Sequence, residues 1–339
     1  MVHLLQVLFS EWPKYTVLAN QLFGNKIIFN PKPYSGVIMS LKIKKVLILG
    51  AGTMGQQIGL QCAVSGFDVT IYDINEDFIK KAEERLPRLA KNVANSGRFT
   101  NEAAEQGIKR IKFTTDPVEA GKDADIINES VPEDPKLKGK VFAQFNEICP
   151  KHTIFTTNTS TLVPSMFADA SGRPEKVCAL HFHDLALTNV VDIMPHPKTS
   201  EETLEIVRQF TKDIDHYAIE LKKEYHGYVF NNMLSTLFST ALTLASREVA
   251  SYEDIDKAWM GVLKAPIGPF GMMDSVGLET VWKITDFWAN TLNDKQSKKN
   301  AEFLKKFVDE GRFGIKSKKG FYEYPDADYF KPEFLKGIK

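Results

Sequence analysis

The sequence predicts an α/β domain with a largely parallel sheet, followed by an all-α domain. Three observations carry this prediction. A strand, a glycine-rich turn, a helix and a second strand follow one another from Lys44 to Asp73. Apolar strand-like runs then alternate with polar helical stretches as far as residue 222, and from Gly227 onward the periodicity is helical throughout. The 339 residues suffice for two domains with cores of their own.

Val46-Leu47-Ile48-Leu49 is an unbroken apolar run, as in a parallel strand buried on both faces. It stops at Gly50, and a helical stretch leads to about Ser65. Gly66 marks a turn, and Phe67 to Asp73 reads as the second strand. Residues 75–110 are charged and helical in period, with Pro87 expected to break or kink them. Further strands are expected at Ile111–Thr114, Ala124–Ser130, Thr153–Thr157, Val177–Phe182 and Val190–Met194, with helices at 134–148 and 201–213. The C-terminal helices are placed at 228–248, 252–261, 274–293 and 297–310. Pro266, Gly268 and Pro269 form a bend between two of them.

Gly50-Ala51-Gly52-Thr53-Met54-Gly55 fits G-x-G-x-x-G between a strand and a helix, and Asp73 ends the next strand. Each part has a physical task. Gly50 makes the tight turn, Gly52 lets the backbone approach a pyrophosphate, and Gly55 lets the helix pack close to its strand. The helix N-terminus around Thr53 and Met54 offers N–H groups and a partial positive charge to phosphates. Asp73 would accept from the adenosine ribose hydroxyls and repel a 2′-phosphate. No arginine stands in Ile74-Asn75-Glu76, so the reading is a Rossmann-type domain for NAD rather than NADP.

The 43 Lys+Arg balance 43 Asp+Glu, so no global field draws the chain to nucleic acid or an anionic membrane. Lys14, Lys26 and Lys32 against Glu11 make residues 1–38 basic, which leaves the remainder slightly acidic. Phosphates must therefore be held by local groups. Cys62, Cys149 and Cys178 match no zinc or disulfide spacing, which fits a reducing compartment, and no metal site is expected. No run approaches the roughly 18–20 apolar residues of a membrane helix. Residues 1–38 lack the basic n-region of a secretory signal and contain no arginine, so they read as an accessory or wrongly assigned extension. Met39-Ser40-Leu41-Lys42 would be a natural start, and the expected location is cytoplasmic.

Seven segments go beyond the glycine fingerprint: GAGTMG at 50–55, IINESVPED at 126–134, TIFTTNTSTL at 153–162, LHF at 180–182, GYVFNN at 227–232, PIGPFGMMDSVGLE at 266–279 and KSKKGFYEY at 316–324. In order and spacing they resemble the L-3-hydroxyacyl-CoA dehydrogenase family. The resemblance implies an NAD-binding domain over 39–222, a helical substrate and dimerisation domain over 223–339, and a homodimer. It also implies reversible oxidation of a 3-hydroxyacyl thioester, with an acyl-CoA as partner. His181 takes the position of the catalytic base, and an imidazole titrating near neutral pH suits that task. The family's carboxylate lies twelve residues after the histidine; here Asp192 lies eleven after it and is the expected orienting partner. Ser160 and Asn231 match residues that hydrogen-bond the reacting oxygen, while Ser160, Glu133 and Lys138 align with cofactor contacts.

The chain departs from the family after the histidine. A Phe-Phe-Asn-Pro run is replaced by Phe182-His183-Asp184-Leu185, so Asp184 stands for an asparagine and the prolines are lost. His183 offers a second imidazole, on the same face as His181 if the strand runs on through it. On a shorter helical excursion, Arg85 falls at the family's CoA-contacting serine and Lys91 or Asn92 at a nearby lysine, and Arg85, Arg88 and Lys91 could still grip CoA phosphates. These changes keep two alternatives open: a dehydrogenase of a free hydroxy acid or carnitine-like substrate, and an NAD-binding sensor or structural protein without turnover. Asn158-Thr159-Ser160 also reads as a glycosylation sequon, and Asn231 as a helix cap.

Overall fold

A computed structural model describes residues 42–336. The extension over residues 1–38 lies outside them. By contact the described chain divides into two compact units, 42–229 and 230–336.

The first unit contains β1 Lys45–Leu49, α1 Thr53–Val64, β2 Asp68–Tyr72, α2 Glu76–Asn95, α3 Asn101–Ile108, β3 Ile111–Thr114, α4 Pro117–Gly121, β4 Ile126–Glu129, α5 Pro135–Ile148, β5 Ile154–Thr157, β6 Val177–Phe182, β7 Val190–Pro195, α6 Glu201–Asp213 and β8 Tyr217–Glu220. Its eight strands form one sheet in the order β3-β2-β1-β4-β5-β6-β7-β8. All neighbours are parallel except β6 and β7. The order reverses between β1 and β4, which opens a crevice at their carboxyl ends.

Strand alternation explains both cores. Val46, Ile48, Ile71, Ile126, Ile154 and Leu180 point to one face and pack with α1, α2 and α6 residues such as Ile58, Leu86 and Phe210. Leu47, Leu49, Ile127, Phe155 and Val177 point to the other and meet Phe142 and Phe145 of α5. With both faces covered, the strands need no polar alternation, hence the unbroken apolar runs. The link after β8 stays with this unit because Leu221 and Tyr228 are buried with Val163, Ala179 and Met194.

Three expectations change. Residues 75–110 form two helices, and α2 continues through Pro87. Pro87 is exposed, so water can satisfy the carbonyl that its missing N–H leaves unbonded. Strand β8 and the short α4 carried too little local pattern to be seen: Tyr217–Glu220 is neither fully apolar nor cleanly alternating in burial. In the second unit, α7 Phe230–Ser246, α8 Tyr252–Leu263, α9 Pro269–Val276, α10 Leu278–Thr291 and α11 Lys295–Asp309 are helical. The single helix expected at 274–293 is α9 and α10, parted at Gly277, whose φ of 99° an L side chain rarely adopts. Pro269 is the first residue of α9, where its missing N–H costs nothing. No helix among the described residues is long and apolar enough to cross a membrane. The three cysteines are free and buried.

Buried His216 lies against the Phe182 ring, with Nδ1 2.8 Å from the Ile214 carbonyl. Burial, only partly opposed by that bond, pushes its imidazole down to about 4. Above pH ~6.5 it is neutral in folded and unfolded chains alike. Below that, the unfolded chain takes up a proton that the folded one refuses until about pH 4. Stability is therefore expected to fall across this window, by up to roughly 3 kcal/mol at its acid end. Urea unfolding of wild type and His216→Gln between pH 7 and 4 checks this; equal slopes with pH would contradict it.

Candidate active site

The glycine turn sits at the crevice. Gly50 has φ 110°, and a Cβ there would lie 2.7 Å from the Ser130 carbonyl oxygen. A Cβ on Gly55 would lie 1.9 Å from the Gly50 carbonyl oxygen, so α1 can approach β1 only with glycine at this position. Gly52 differs: nothing lies within 4 Å of the place its Cβ would take. That open space, beside the N–H groups of Thr53 and Met54 in the first turn of α1, fits a pyrophosphate. The two glycines therefore separate binding from folding. Gly52→Ala is expected to keep the wild-type melting temperature and weaken NADH binding tenfold or more, whereas Gly55→Ala should destabilise the fold itself. Calorimetry and NADH fluorescence titration of both variants check the contrast.

Asp73 accepts from the N–H of Ala51 and of Asn75, both at 3.0 Å, so it fixes the glycine turn. A carboxylate has acceptor sites beyond these two, and Ile74 beside it is exposed and uncharged. The remaining acceptor sites thus fit the hydroxyls of the NAD ribose.

A cleft of about 280 Å³ lies beyond β4 and β5, lined by Met54, Ser130, Glu133, Asn158, Ser160 and Thr161 among others. A larger cavity, of about 510 Å³, is at the opposite ends of β1 and β2, near Lys45 and Asp68. It is remote from the carboxyl ends where such sheets hold ligands.

Glu133 organises the loop after β5. It accepts from the Thr159 hydroxyl, from the N–H groups of Ser160 and Thr161 at 3.2 Å, and from the Thr161 hydroxyl at 2.9 Å. Burial opposes its ionisation, yet the Thr159 bond and the Lys138 charge outweigh it and hold the carboxyl below its ordinary value. Lys138 is itself only 1% exposed. Its Nζ donates to both oxygens of buried Glu129, at 2.8 and 3.0 Å, and to the Val131 carbonyl at 3.2 Å, and pairs with Glu133 at 3.2 Å. Its charge is thus matched by two carboxylates before any phosphate arrives. Glu129 lay within the quoted IINESVPED segment but was not singled out, because only the fold reveals its partner. Ser160 is half-buried on this loop. Asn158 accepts from the Phe182 N–H at 2.7 Å, so the sequon asparagine is engaged in tying the loop to β6.

The imidazole centre comes from strand pairing. His181 on β6 stands directly opposite Asp192 on antiparallel β7. The two side chains share a face and meet without a bridging group: Nδ1 is 3.0 Å from Asp192 Oδ2. The shorter aspartate therefore spans the gap. His183 reaches the same oxygen, its Nε2 being 3.1 Å away. Burial disfavours the Asp192 anion, but hydrogen bonds from His181 and His183 overcome this and hold its carboxyl below the ordinary range. The three groups thus converge, with the ring nitrogens and the carboxylate oxygen all within 4.8 Å of one another.

Tyr228, which sequence reasoning passed over, lies with its ring centroid 4.9 Å from that of His181 and is 2% exposed. Gly227 and Tyr228 have φ of 74° and 55°. A bulky side chain in the left-handed region is costly, and here it sits against the imidazole. The one available signal was its place in GYVFNN. Asp184 is exposed and accepts from the Ala186 N–H at 2.9 Å, while Gln57 of α1 accepts from the Leu185 N–H at 3.0 Å. The loop that lacks prolines is thus anchored by two other bonds. Arg85, Arg88 and Lys91 are exposed on α2. Asn231 belongs to the second unit, half-buried at the second position of α7 rather than at its cap.

Residues 45–225 match the family described as 3-hydroxyacyl-CoA dehydrogenase, NAD binding domain, and residues 227–324 match its C-terminal domain. The chain is 32% identical to the mitochondrial hydroxyacyl-coenzyme A dehydrogenase of Sus scrofa over 288 residues, covering 83% of this chain and 91% of the relative. It is 30% identical to a probable 3-hydroxybutyryl-CoA dehydrogenase of Bacillus subtilis, covering 84% and 99%. A solved diketoreductase, described as acting on dicarbonyl compounds, is similar at 37% identity with a TM-score of 0.79, covering 84% of this chain and all (100%) of the other.

Proposed function

Because the chain belongs to the 3-hydroxyacyl-CoA dehydrogenase family, we propose that it catalyses the reversible NAD-linked oxidation of a short-chain (S)-3-hydroxyacyl-CoA to the 3-oxoacyl-CoA. The observation that carries this reading is the direct Nδ1–Asp192 bond of His181 at the carboxyl end of β6. Asp192 as an anion holds the Nδ1–H tautomer, which leaves Nε2 of His181 to take the substrate hydroxyl proton. As that proton arrives, Asp192 stabilises the imidazolium. Bound NAD supplies the acceptor for the hydride leaving the β-carbon. Ser160 donates to the oxygen whose charge changes in the step. Thr53, Met54 and the space over Gly52 take the pyrophosphate, Asp73 takes the ribose, and Glu133 sets the loop bearing Ser160.

A second reading replaces the thioester by a free hydroxy acid, carnitine-like or dicarbonyl substrate. His183 and Asp184 in place of the expected phenylalanine and asparagine support it, as does the similarity to the diketoreductase. NADH consumption with acetoacetyl-CoA, compared with acetoacetate, dehydrocarnitine and a 3,5-diketo ester, tests the choice. Preference for acetoacetyl-CoA by tenfold or more in kcat/KM supports the thioester; turnover only of the others would transfer the assignment to them. A cytoplasmic homodimer is part of the proposal. Exposed Ile284, Phe287, Trp288 and Leu292 recur along α10 and its C-cap, an apolar stripe suited to a second copy.

A further inference from the structure

Asp192 Oδ2 faces two imidazoles at nearly equal distance, 3.0 Å to His181 Nδ1 and 3.1 Å to His183 Nε2. The carboxylate is 1% exposed, so both bonds form away from competing water. One ionised oxygen can accept from both rings, and the geometry asks each ring to carry its proton on the nitrogen facing it. The rings themselves meet edge to face, with centroids 4.7 Å apart and planes at 70°. Turning either ring would break its bond to Asp192.

We propose that His183 is a positioning residue of the reaction centre: it shares Asp192 with His181, fixes the carboxylate's orientation and moderates its pull on the His181 ring. The inference rests on the reading of His181 as the base. A hydrogen bond into Asp192 from the side draws charge away from the lone pairs that His181 uses. Removing it would leave the carboxylate a stronger acceptor, and the imidazolium of His181 would be stabilised more. Loss of His183 therefore moves the acid limb of the oxidation profile to higher pH. The other titratable groups near the pair do not compete for this effect. Burial pushes the Tyr228 phenol upward and the Cys178 thiol up to about 12, so both stay protonated. Glu129, Glu133 and Lys138 form their own closed ion group, and Asp184 is turned into its loop.

The test compares His183→Phe, which keeps an aromatic ring but no donor, with His183→Gln, whose amide N–H can replace Nε2–H. Substrate oxidation is followed against pH with whichever compound of the panel wild type turns over. For His183→Phe the acid limb of kcat/KM is expected to rise by about 0.5–1 pH unit, a three- to tenfold loss below the limb, with a plateau within threefold of wild type. His183→Gln should restore the wild-type limb. A second readout needs no turnover. Proton NMR of wild type should show two slowly exchanging imidazole N–H resonances far downfield. His183→Phe should lose one and move the other further downfield. An unchanged limb in His183→Phe, or a single downfield resonance that the substitution leaves in place, overturns the inference. If His181→Ala retains turnover while His183→Phe abolishes it, the base reading itself fails, a result distinct from either.

Discussion

Replacing His181 with alanine is expected to lower kcat by about 10²–10⁴-fold, the usual contribution of a general base, while NADH binding stays within a few-fold of wild type. The separation follows from the fold. The glycine turn, Asp73 and the first turn of α1 belong to the β1-α1-β2 end of the crevice, and no hydrogen bond links them to the imidazole. His181 is held by β6, Asp192 and the ring of Tyr228. Truncation leaves Asp192 with a donor from His183, so the buried carboxylate is not stranded and the variant should fold. Steady-state kinetics and NADH fluorescence on the same preparation read both quantities. Loss of turnover with binding intact also removes the sensor reading, since a protein without chemistry has no rate to lose. Full activity in His181→Ala would move the base to His183.

The second large effect concerns stability of the helical unit. Asp274 of α9 is 1% exposed and accepts from the N–H of Phe321 at 2.8 Å, the N–H of Tyr322 at 2.9 Å and the Tyr324 hydroxyl at 3.0 Å. Asp256 of α8, fully buried, accepts from the N–H of Phe270 at 2.8 Å, the N–H of Gly271 at 3.0 Å and the Tyr322 hydroxyl at 3.0 Å. The two carboxylates thus bind the C-terminal segment to α8 and α9 where the core aromatic residues Phe270, Phe321 and Tyr322 meet. Asp274→Ala strands the buried N–H groups of Phe321 and Tyr322, each worth about 1–3 kcal/mol, and leaves the Tyr324 hydroxyl only Tyr329, so a loss of roughly 2–6 kcal/mol is expected. Gly320→Ala should act through the same group, because its Cβ would lie 1.9 Å from Asp274 Oδ1. Thermal unfolding should show both variants losing the helical unit first, with Asp274→Asn, which retains one acceptor, between them and wild type. A melting temperature for Asp274→Ala within two degrees of wild type would contradict the account.

These bonds also explain why the glycines of PIGPFGMMDSVGLE and KSKKGFYEY stand where they do. A Cβ on Gly268 would meet Asp256 Cγ at 2.3 Å, and one on Gly320 would meet Asp274 Cγ at 2.3 Å. The motifs were visible in the chain, yet their cause lies in contacts between residues 12 and 46 positions apart.

Much of the first unit was legible because its strands are buried on both faces. Burial leaves a continuous apolar run in the chain, as in Val46–Leu49 and Val177–Phe182, and their limits could be read from it. Strand β8, with two exposed and two half-buried residues, leaves no such trace. The glycine fingerprint was legible for a different reason, since each glycine answers a steric demand from the adjoining strand and helix. The site was legible only in part. His181, Asp192, Ser160 and Glu133 could be named, but Glu129, Tyr228 and the position of His183 on the Asp192 oxygen could not.

The amino-acid sequence by itself determined most of the buried strands, the nucleotide-binding turn and the family to which the chain belongs. Periodicity and short motifs record the surroundings of residues close together in the chain. Tertiary structure alone decided which charged groups meet. The antiparallel register of β6 and β7 sets Asp192 opposite His181, and the backbone just past the end of β6 brings His183 to the same oxygen. The packing of α5 against β4 buries Lys138 on Glu129 at the edge of the cleft, an ion pair that no local pattern announces. Electrostatics inside a protein depends on distances of a few ångströms between residues far apart in sequence, and such distances exist only once the sheet has formed.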